Sequence, residues 1–355
     1  MRLLSPETPR VCLLMTDHHL GNVVLSLPVI EALAAWFQER PAVVVDERYG
    51  GLVRQLPSVG EVLLYPDQTL RRRGVIRNLR PTLFALRVAA RRPSVAVDLG
   101  GPPRGAWLAL ASGARRRIGF DRSVWRRLYT DRISYEEATH AFDRYCGFLS
   151  MIGRVGRPSW LRLNAPEEVR AALLHRLARE QPHPGVPLLV VHAGAGKAWR
   201  CWPEERFAET ADRLVRRYGF DVALLAAGAE QALAERVRAR MQEAASAFLF
   251  QGPILELLAL LERAALFLGN ESGPAHLASL TDCPMVVIFG PSKETIWRPV
   301  RQNRCVVLRG APCDPRCDRS ICYASRRCLL ALTVEQAEAA ARGLLEETRP
   351  FPAPR

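Results

Sequence analysis

The chain has 355 residues, of which 48% are hydrophobic, 24% charged and 7% aromatic, with 26 prolines and 24 glycines. This excludes a disordered polymer, a collagen and a disulfide-stapled mini-protein, and the length favours two domains over one core. The formal charge is +14, and only Lys197 and Lys293 are lysines, so the excess is arginine.

Short β-branched runs predict strands at 11–15, 42–45, 62–64 and 95–98, and again at 188–192, 222–226, 265–269 and 285–289. Between them, amphipathic spacing predicts helices over 28–39, 79–90, 203–218, 230–243 and 254–264, with a closing helix over 333–347. Continuously apolar strands alternating with helices indicate parallel sheets covered on both faces, an α/β class. The pattern runs twice, and the polar, proline-bearing stretch 153–168 reads as the linker. The expectation is two Rossmann-like halves, residues 1–165 and 166–355, with a ligand in the cleft between them.

No apolar run approaches the roughly 18–20 residues of a membrane span. Residues 1–10 carry prolines and a glutamate in place of an apolar signal core, so a cytoplasmic location is expected. The arginines cluster in the first half, at Arg71–Arg73, Arg77, Arg80, Arg87, Arg91–Arg92, Arg115–Arg117 and Arg126–Arg127. Such a half suits nucleic acid, an anionic membrane surface or an acidic substrate, and solvated helix faces give the same composition. Aromatics do not interleave with the basic runs, so nucleic acid is not the expected partner.

Four segments carry chemistry. After the first strand come Thr16, Asp17, His18, His19, Leu20, Gly21 and Asn22, a glycine-bearing turn with groups that titrate near neutrality. A structural turn with two exposed histidines has the same appearance. After residue 192 comes a small-residue loop, with Gly194 and Ala195 allowing close backbone approach and Lys197 and Arg200 placed for phosphate contacts. Pro203 reads as the first residue of the helix that follows. The third segment ends a strand in Asn270 and Glu271, then opens a helix with Ser272, Gly273, Pro274, Ala275 and His276. Ser272 is expected to cap this helix, with amides available to an anion. The fourth is a cluster, Cys313, Cys317, Cys322 and Cys328, for which thiolate ligation of zinc or iron, packed thiols and a redox pair are all open readings.

Residues 270–277 (NESGPAHL), followed by 287–292 (VIFGPS), resemble the signature of glycosyltransferase family 9, the bacterial heptosyltransferases of lipopolysaccharide assembly. Leu20-Gly21-Asn22 resembles the first glycine loop of that family, and 97–101 with 117–120 resemble its mid-domain segments. Arg200-Cys201-Trp202-Pro203 resembles its Lys-x-Trp-Pro element. The resemblance implies the GT-B fold, two Rossmann-like domains facing across a cleft, and inverting transfer from an ADP-sugar, typically ADP-heptose, to a lipopolysaccharide-core or related glycan.

Carried over residue by residue, Gly194, Ala195 and Arg200 would contact the pyrophosphate, with Lys197 beside them. Glu230 would reach the ribose, and Glu271 would hold the sugar where the family has Asp. The amides of Ser272, Gly273, Ala275 and His276 would bind phosphate. No Asp-x-Asp sequence is present, so no catalytic metal is expected. Some relatives bind metal at a terminal cysteine cluster, which implies structural Zn or Fe here. The family's proposed base is an Asp after the loop glycine, and here that position is Asn22. Either Asp17, His18 or His19 has taken the role, or the protein transfers slowly, or it binds a nucleotide sugar without transferring it. A protein side chain as acceptor is a further alternative. The basic first half would hold an acidic glycolipid or glycan acceptor, with peripheral contact at the inner-membrane surface through the segment 71–92.

Overall fold

Strands β1 (Val11–Met15), β2 (Ala42–Asp46), β3 (Val62–Tyr65), β4 (Val95–Asp98), β5 (Arg116–Phe120) and β6 (Asp131–Ile133) precede β7 (Leu188–His192), β8 (Asp221–Leu225), β9 (Ala247–Phe250), β10 (Ala264–Asn270), β11 (Met285–Ile288) and β12 (Cys305–Leu308). They form two six-stranded sheets, ordered β3-β2-β1-β4-β5-β6 and β12-β11-β10-β7-β8-β9. Every pairing is parallel. This computed structural model describes residues 3–66, 76–300, 304–312 and 325–347.

The main helices are α1 (Leu20–Ala34), α2 (Ile76–Ala89), α3 (Pro103–Ala111), α4 (Ala141–Cys146), α5 (Glu167–Glu180), α6 (Glu204–Tyr218), α7 (Gln231–Arg240), α8 (Ile254–Arg263), α9 (Gly273–Ala278) and α10 (Val334–Glu346). Both sheets follow the strand order of dinucleotide-binding domains, in which ligands bind outside the carboxyl ends of the strands where the order reverses. Those points lie between β1 and β4 in the first sheet and between β7 and β10 in the second.

The chain divides into two compact units, Met1–Leu161 and Arg162–Arg355. The expected boundary at residue 165 comes slightly late. Leu163 already donates its amide to the Leu280 carbonyl, and Ala165 donates its own to the Glu262 carboxylate, so both belong to the second unit. Each unit has its own core. In the first, Leu14, Val44, Ala96 and Leu108 are fully buried. In the second, Trp202, Phe207 and Leu266 pack with Ala337, Ala341 and Leu345 of α10. The closing helix expected over 333–347 is α10, and a capping box between Thr333 and Gln336 starts it.

Two helix starts depart from expectation at prolines. The first helix begins at Leu20, with Pro28 inside it. An interior proline costs about 3 kcal/mol. Val23, Val24, Leu25, Leu27, Val29, Ile30 and Leu33 are all 0% exposed. At roughly 1.5–3 kcal/mol for each large side chain, their burial outweighs the break. Gly21 and Asn22 therefore sit in the first turn of α1 and not in a free loop. Pro203 is the N-cap of α6 and not its first residue, with extended backbone (φ −54, ψ 136).

Four strands escaped the sequence reading: β5, β6, β9 and β12. β5 and β6 carry arginines that hide the apolar signal, and Arg116 pairs across them with Asp131 at 3.2 Å. Among the described residues, no helix is long and apolar enough to cross a membrane.

Candidate functional site

In the first unit, the loop between β1 and α1 is a closed hydrogen-bonded network. The Asp17 carboxylate accepts from the His19 amide at 2.8 Å, lies 2.8 Å from His19 Nδ1, and accepts from the Asn22 side-chain amide at 2.7 Å. Burial alone would push the Asp17 carboxyl up, but these donors more than offset it and hold it low. The hydrogen bond to Asp17 in turn raises the His19 imidazole above its ordinary value. The His18 carbonyl accepts from Tyr49 Oη at 3.0 Å and from Arg48 at 3.3 Å. Arg48 is itself clamped bidentately by the buried Asp46.

Arg104, on α3, was missed by sequence reasoning. Its Nε donates to the Thr16 carbonyl at 2.7 Å, and its guanidinium lies 3.3 Å from His18 Nδ1. The signal was the glycine after it. A Cβ on Gly105 would overlap the Asp98 carboxylate, so the chain there is pressed onto that group. Asp98 accepts from Gly100 N at 3.0 Å, from Gly101 N at 3.3 Å and from Tyr129 Oη at 2.6 Å. Tyr129 lies where a Cβ on Gly119 would be. The two mid-domain segments noted in the sequence thus form one buried brace beneath α3.

Ligand atoms of Asp17, His18 and His19 lie within 4.8 Å of one another. Each is already engaged, by Asn22, by Arg104 or within the trio, and two guanidiniums stand beside it. This is a hydrogen-bond network unsuited to a cation.

In the second unit, the segments after β7 and β10 meet. Asn270, fully buried, donates to the Ala193 carbonyl at 2.6 Å and accepts from the Trp202 amide at 3.0 Å. It clamps the Gly194–Arg200 loop at both ends. Arg200 is ion-paired with Glu271. Glu230 lies 2.9 Å from His192 Nε2 and accepts from Gly196 N at 3.4 Å. Burial works against its charge, but the hydrogen bond to His192 keeps the Glu230 carboxyl below its ordinary value.

Ser272 occupies the N-cap of α9 without a side-chain cap bond. Its Oγ lies 3.0 Å from His192 Nδ1 instead. The expected cap is therefore replaced by a contact across to β7. The His276 amide donates to the Ser272 carbonyl at 3.3 Å, closing the turn, and the Ala275 and His276 side chains are buried. Lys197 is exposed on the loop.

The sequence-derived groups thus fall into two sets, one in each unit. Asp17, His18, His19, Gly21 and Asn22 gather at the β1 end. Gly194, Ala195, Arg200, Glu230, Asn270, Glu271, Ser272 and Gly273 gather at the ends of β7 and β10. His192, which links Glu230 to Ser272, was not singled out, because a strand-end histidine carries no spacing signal. Cys313, Cys317 and Cys322 lie outside the described residues, while Cys328 is buried.

The family model for "Glycosyltransferase family 9 (heptosyltransferase)" matches residues 85–323, two-thirds of the chain. The chain belongs to glycosyltransferase family 9. It is a glycosyltransferase built on two Rossmann-like α/β domains, as in GT-B enzymes. It is similar to lipopolysaccharide heptosyltransferase 3 of Escherichia coli, 24% identical over 294 residues that cover 80% of this chain and 84% of that protein. The fold is shared with the family 9 glycosyltransferase of Veillonella parvula (TM-score 0.84, 21% identity, 98% of this chain and 100% of that one). It is also shared with the E. coli ADP-heptose lipopolysaccharide heptosyltransferase II (TM-score 0.77, 18% identity, 95% and 99% covered).

Proposed function

We propose that this family 9 transferase moves a heptose from ADP-heptose, with inversion, onto a lipopolysaccharide-core or related glycan acceptor. The observation that carries the reading is the gathering of Arg200, Glu230, Glu271 and Ser272 at the β7/β10 reversal point, on the loops where a nucleotide binds in this topology. The sugar and the acceptor class come from the lipopolysaccharide heptosyltransferases to which the chain is similar.

The leaving ADP develops charge on its diphosphate. Arg200, with Lys197 nearby on the same loop, would offer positive charge there, the phosphates taking the place of Glu271 as its partner and leaving Glu271 for the sugar. The reaction is proposed to need no divalent cation, because the sequence has no Asp-x-Asp element to hold one and Arg200 with Lys197 would supply positive charge in its place. The enzyme is further proposed to work at the cytoplasmic face of the inner membrane. Helix α2 supports this with Leu83 and Leu86 exposed at 58% and 60%. Of the segment 71–92 considered for that contact, residues 71–75 lie outside the described residues.

The test is ADP release from ADP-heptose by the purified protein, with and without a lipopolysaccharide-core acceptor, in buffer containing EDTA. Acceptor-dependent release is expected. ADP binding without release, across core acceptors and acceptor proteins, would overturn the transfer reaction, and failure to bind ADP would overturn the donor.

A further inference from the structure

We propose that His19, oriented by Asp17, is the base that takes the acceptor hydroxyl proton, and that Arg104 holds the adjacent His18 out of that role. This rests on the transferase reading above and goes beyond it by assigning one of two neighbouring histidines.

The assignment follows from which atoms can only donate and which can only accept. An ionised carboxylate is acceptor-only. Asp17 Oδ1 is 2.8 Å from His19 Nδ1, so neutral His19 carries its proton on Nδ1 and its lone pair on Nε2. The geometry is tight, because Asp17 is fixed by the His19 amide and by Asn22. Asn22, at the position of the family carboxylate, has become a donor that aims Asp17. A guanidinium, conversely, is donor-only. Arg104 lies 3.3 Å from His18 Nδ1, so that nitrogen must accept and the proton of neutral His18 sits on Nε2. The distance from His18 Nδ1 to Asp17 is 4.0 Å, against 2.8 Å for His19, which leaves the carboxylate with His19.

Access also favours His19. Its side chain is 65% exposed, against 37% for His18. The two ring centroids lie 3.9 Å apart with the planes tilted by 39°, and the His18 carbonyl is anchored by Tyr49 and Arg48, so the pair is held as a unit. The titratable and charged groups facing His19 are Asp17 and His18 on its own loop, Arg48 after β2 and Arg104 on α3, while Tyr145 of α4 faces Asp17. Asp17 raises the imidazole and the two guanidiniums lower it. The net direction is upward, which suits a base that must deprotonate near neutrality.

In the step, a lone pair of the acceptor oxygen forms the bond to the anomeric carbon as the bond from that carbon to the β-phosphate oxygen breaks. That electron pair leaves with ADP. The hydroxyl proton moves to His19 Nε2, giving an imidazolium paired with the Asp17 carboxylate. Asp17 and Asn22 are positioning residues, and His19 is the catalytic one.

The experiment compares kcat against pH for the native enzyme, His19→Gln, His18→Gln and Asp17→Asn, together with ring-nitrogen NMR of the two histidines. His19→Gln is expected to lose on the order of hundredfold or more in kcat, as removal of a general base does. Its acid limb should disappear, with the KM for ADP-heptose little moved. His18→Gln should keep the limb. Asp17→Asn should lower kcat and move the limb to lower pH, because the carboxylate that raises His19 is gone. NMR should show a proton on Nδ1 of His19 and on Nε2 of His18. An acid limb surviving in His19→Gln, or lost in His18→Gln, overturns the assignment, as does an Nε2 proton on His19. A native enzyme that shows the expected proton positions but no turnover overturns the transferase reading, and the base role falls with it.

Discussion

The carboxylate of Glu230 lies 2.9 Å from Nε2 of His192 at the carboxyl end of β7. The other ring nitrogen of the same histidine lies 3.0 Å from Ser272 Oγ, so one buried imidazole joins the residue proposed to hold the ribose to the segment that opens α9.

Replacing His192 with Ala should therefore act on binding as well as stability. The substitution removes one partner from the Glu230 carboxylate, which is 30% exposed and keeps the Gly196 amide, and one from the part-buried Ser272 hydroxyl. The stability cost should therefore stay below the roughly 1–3 kcal/mol of a fully buried unsatisfied group. ADP affinity is expected to fall about tenfold or more, which corresponds to about 1.4 kcal/mol. Calorimetric titration with ADP checks this alongside a thermal melt. Unchanged affinity in a folded variant would separate Glu230 from the nucleotide.

Gly194→Ala tests the same carboxylate from the opposite side. A Cβ there would overlap the Glu230 carboxylate, the movable end of a flexible side chain. The fold should survive, because the clash is relieved by rotating Glu230 away from His192. Donor affinity should drop, and a Gly194→Ala, Glu230→Gln double variant should show less than the sum of the two single losses. Additive losses would mean that the glycine serves the ligand directly.

The two doubly wound units were legible in the sequence because buried parallel strands are continuous apolar runs, as in 11–15 and 188–192. The missed strands are short or charged. Arg116 and Arg117 begin β5, and they belong there because Asp131 and the Leu128 carbonyl receive them, partners that are remote in sequence. At the site, the motifs brought the right backbone together but not the side-chain pairings. Nothing in the spacing says that Ser272 turns to His192 instead of capping its own helix. Nor does it say that Asp98 reaches a tyrosine thirty-one residues on. Such pairings are decided by which strands become neighbours.

Asn270 is the clearest case of a signature residue whose visible role is structural. It is 0% exposed, with both functions of its amide spent on the backbone at Ala193 and Trp202. Asn270→Ala should leave a buried amide and a buried carbonyl unpaired, destabilising the second unit by about 2–6 kcal/mol if neither finds a partner. Asn270→Asp should be no milder, since a carboxylate oxygen would face the Ala193 carbonyl. Chemical denaturation checks both. A loss of turnover at full stability would show that the side chain serves the sugar and not the loop.

The brace under α3 makes a prediction about pH. Asp98 is 0% exposed, and burial pushes its carboxyl from 3.8 up to about 6, against the pull of Tyr129, the Gly101 and Gly100 amides and Arg104. A carboxyl raised in the folded state binds its proton more tightly there than in the unfolded chain. Between pH 4 and 6 the folded form thus holds more protons, and stability falls as pH rises through that window. The contribution is fully present below about 4 and gone above about 6, the reverse of a salt-bridged carboxylate. A shift of this size amounts to on the order of 3 kcal/mol. Asp98→Asn has no proton to lose, so its stability relative to the native chain should improve as pH rises from 4 to 7. Tyr129→Phe should move the window upward, because it removes a hydrogen bond that favours the charged form. Denaturant midpoints at several pH values for the three proteins decide the matter. A native-minus-Asp98→Asn difference that stays flat across the window would mean that Asp98 stays ionised, held by its three donors at no net cost to the fold.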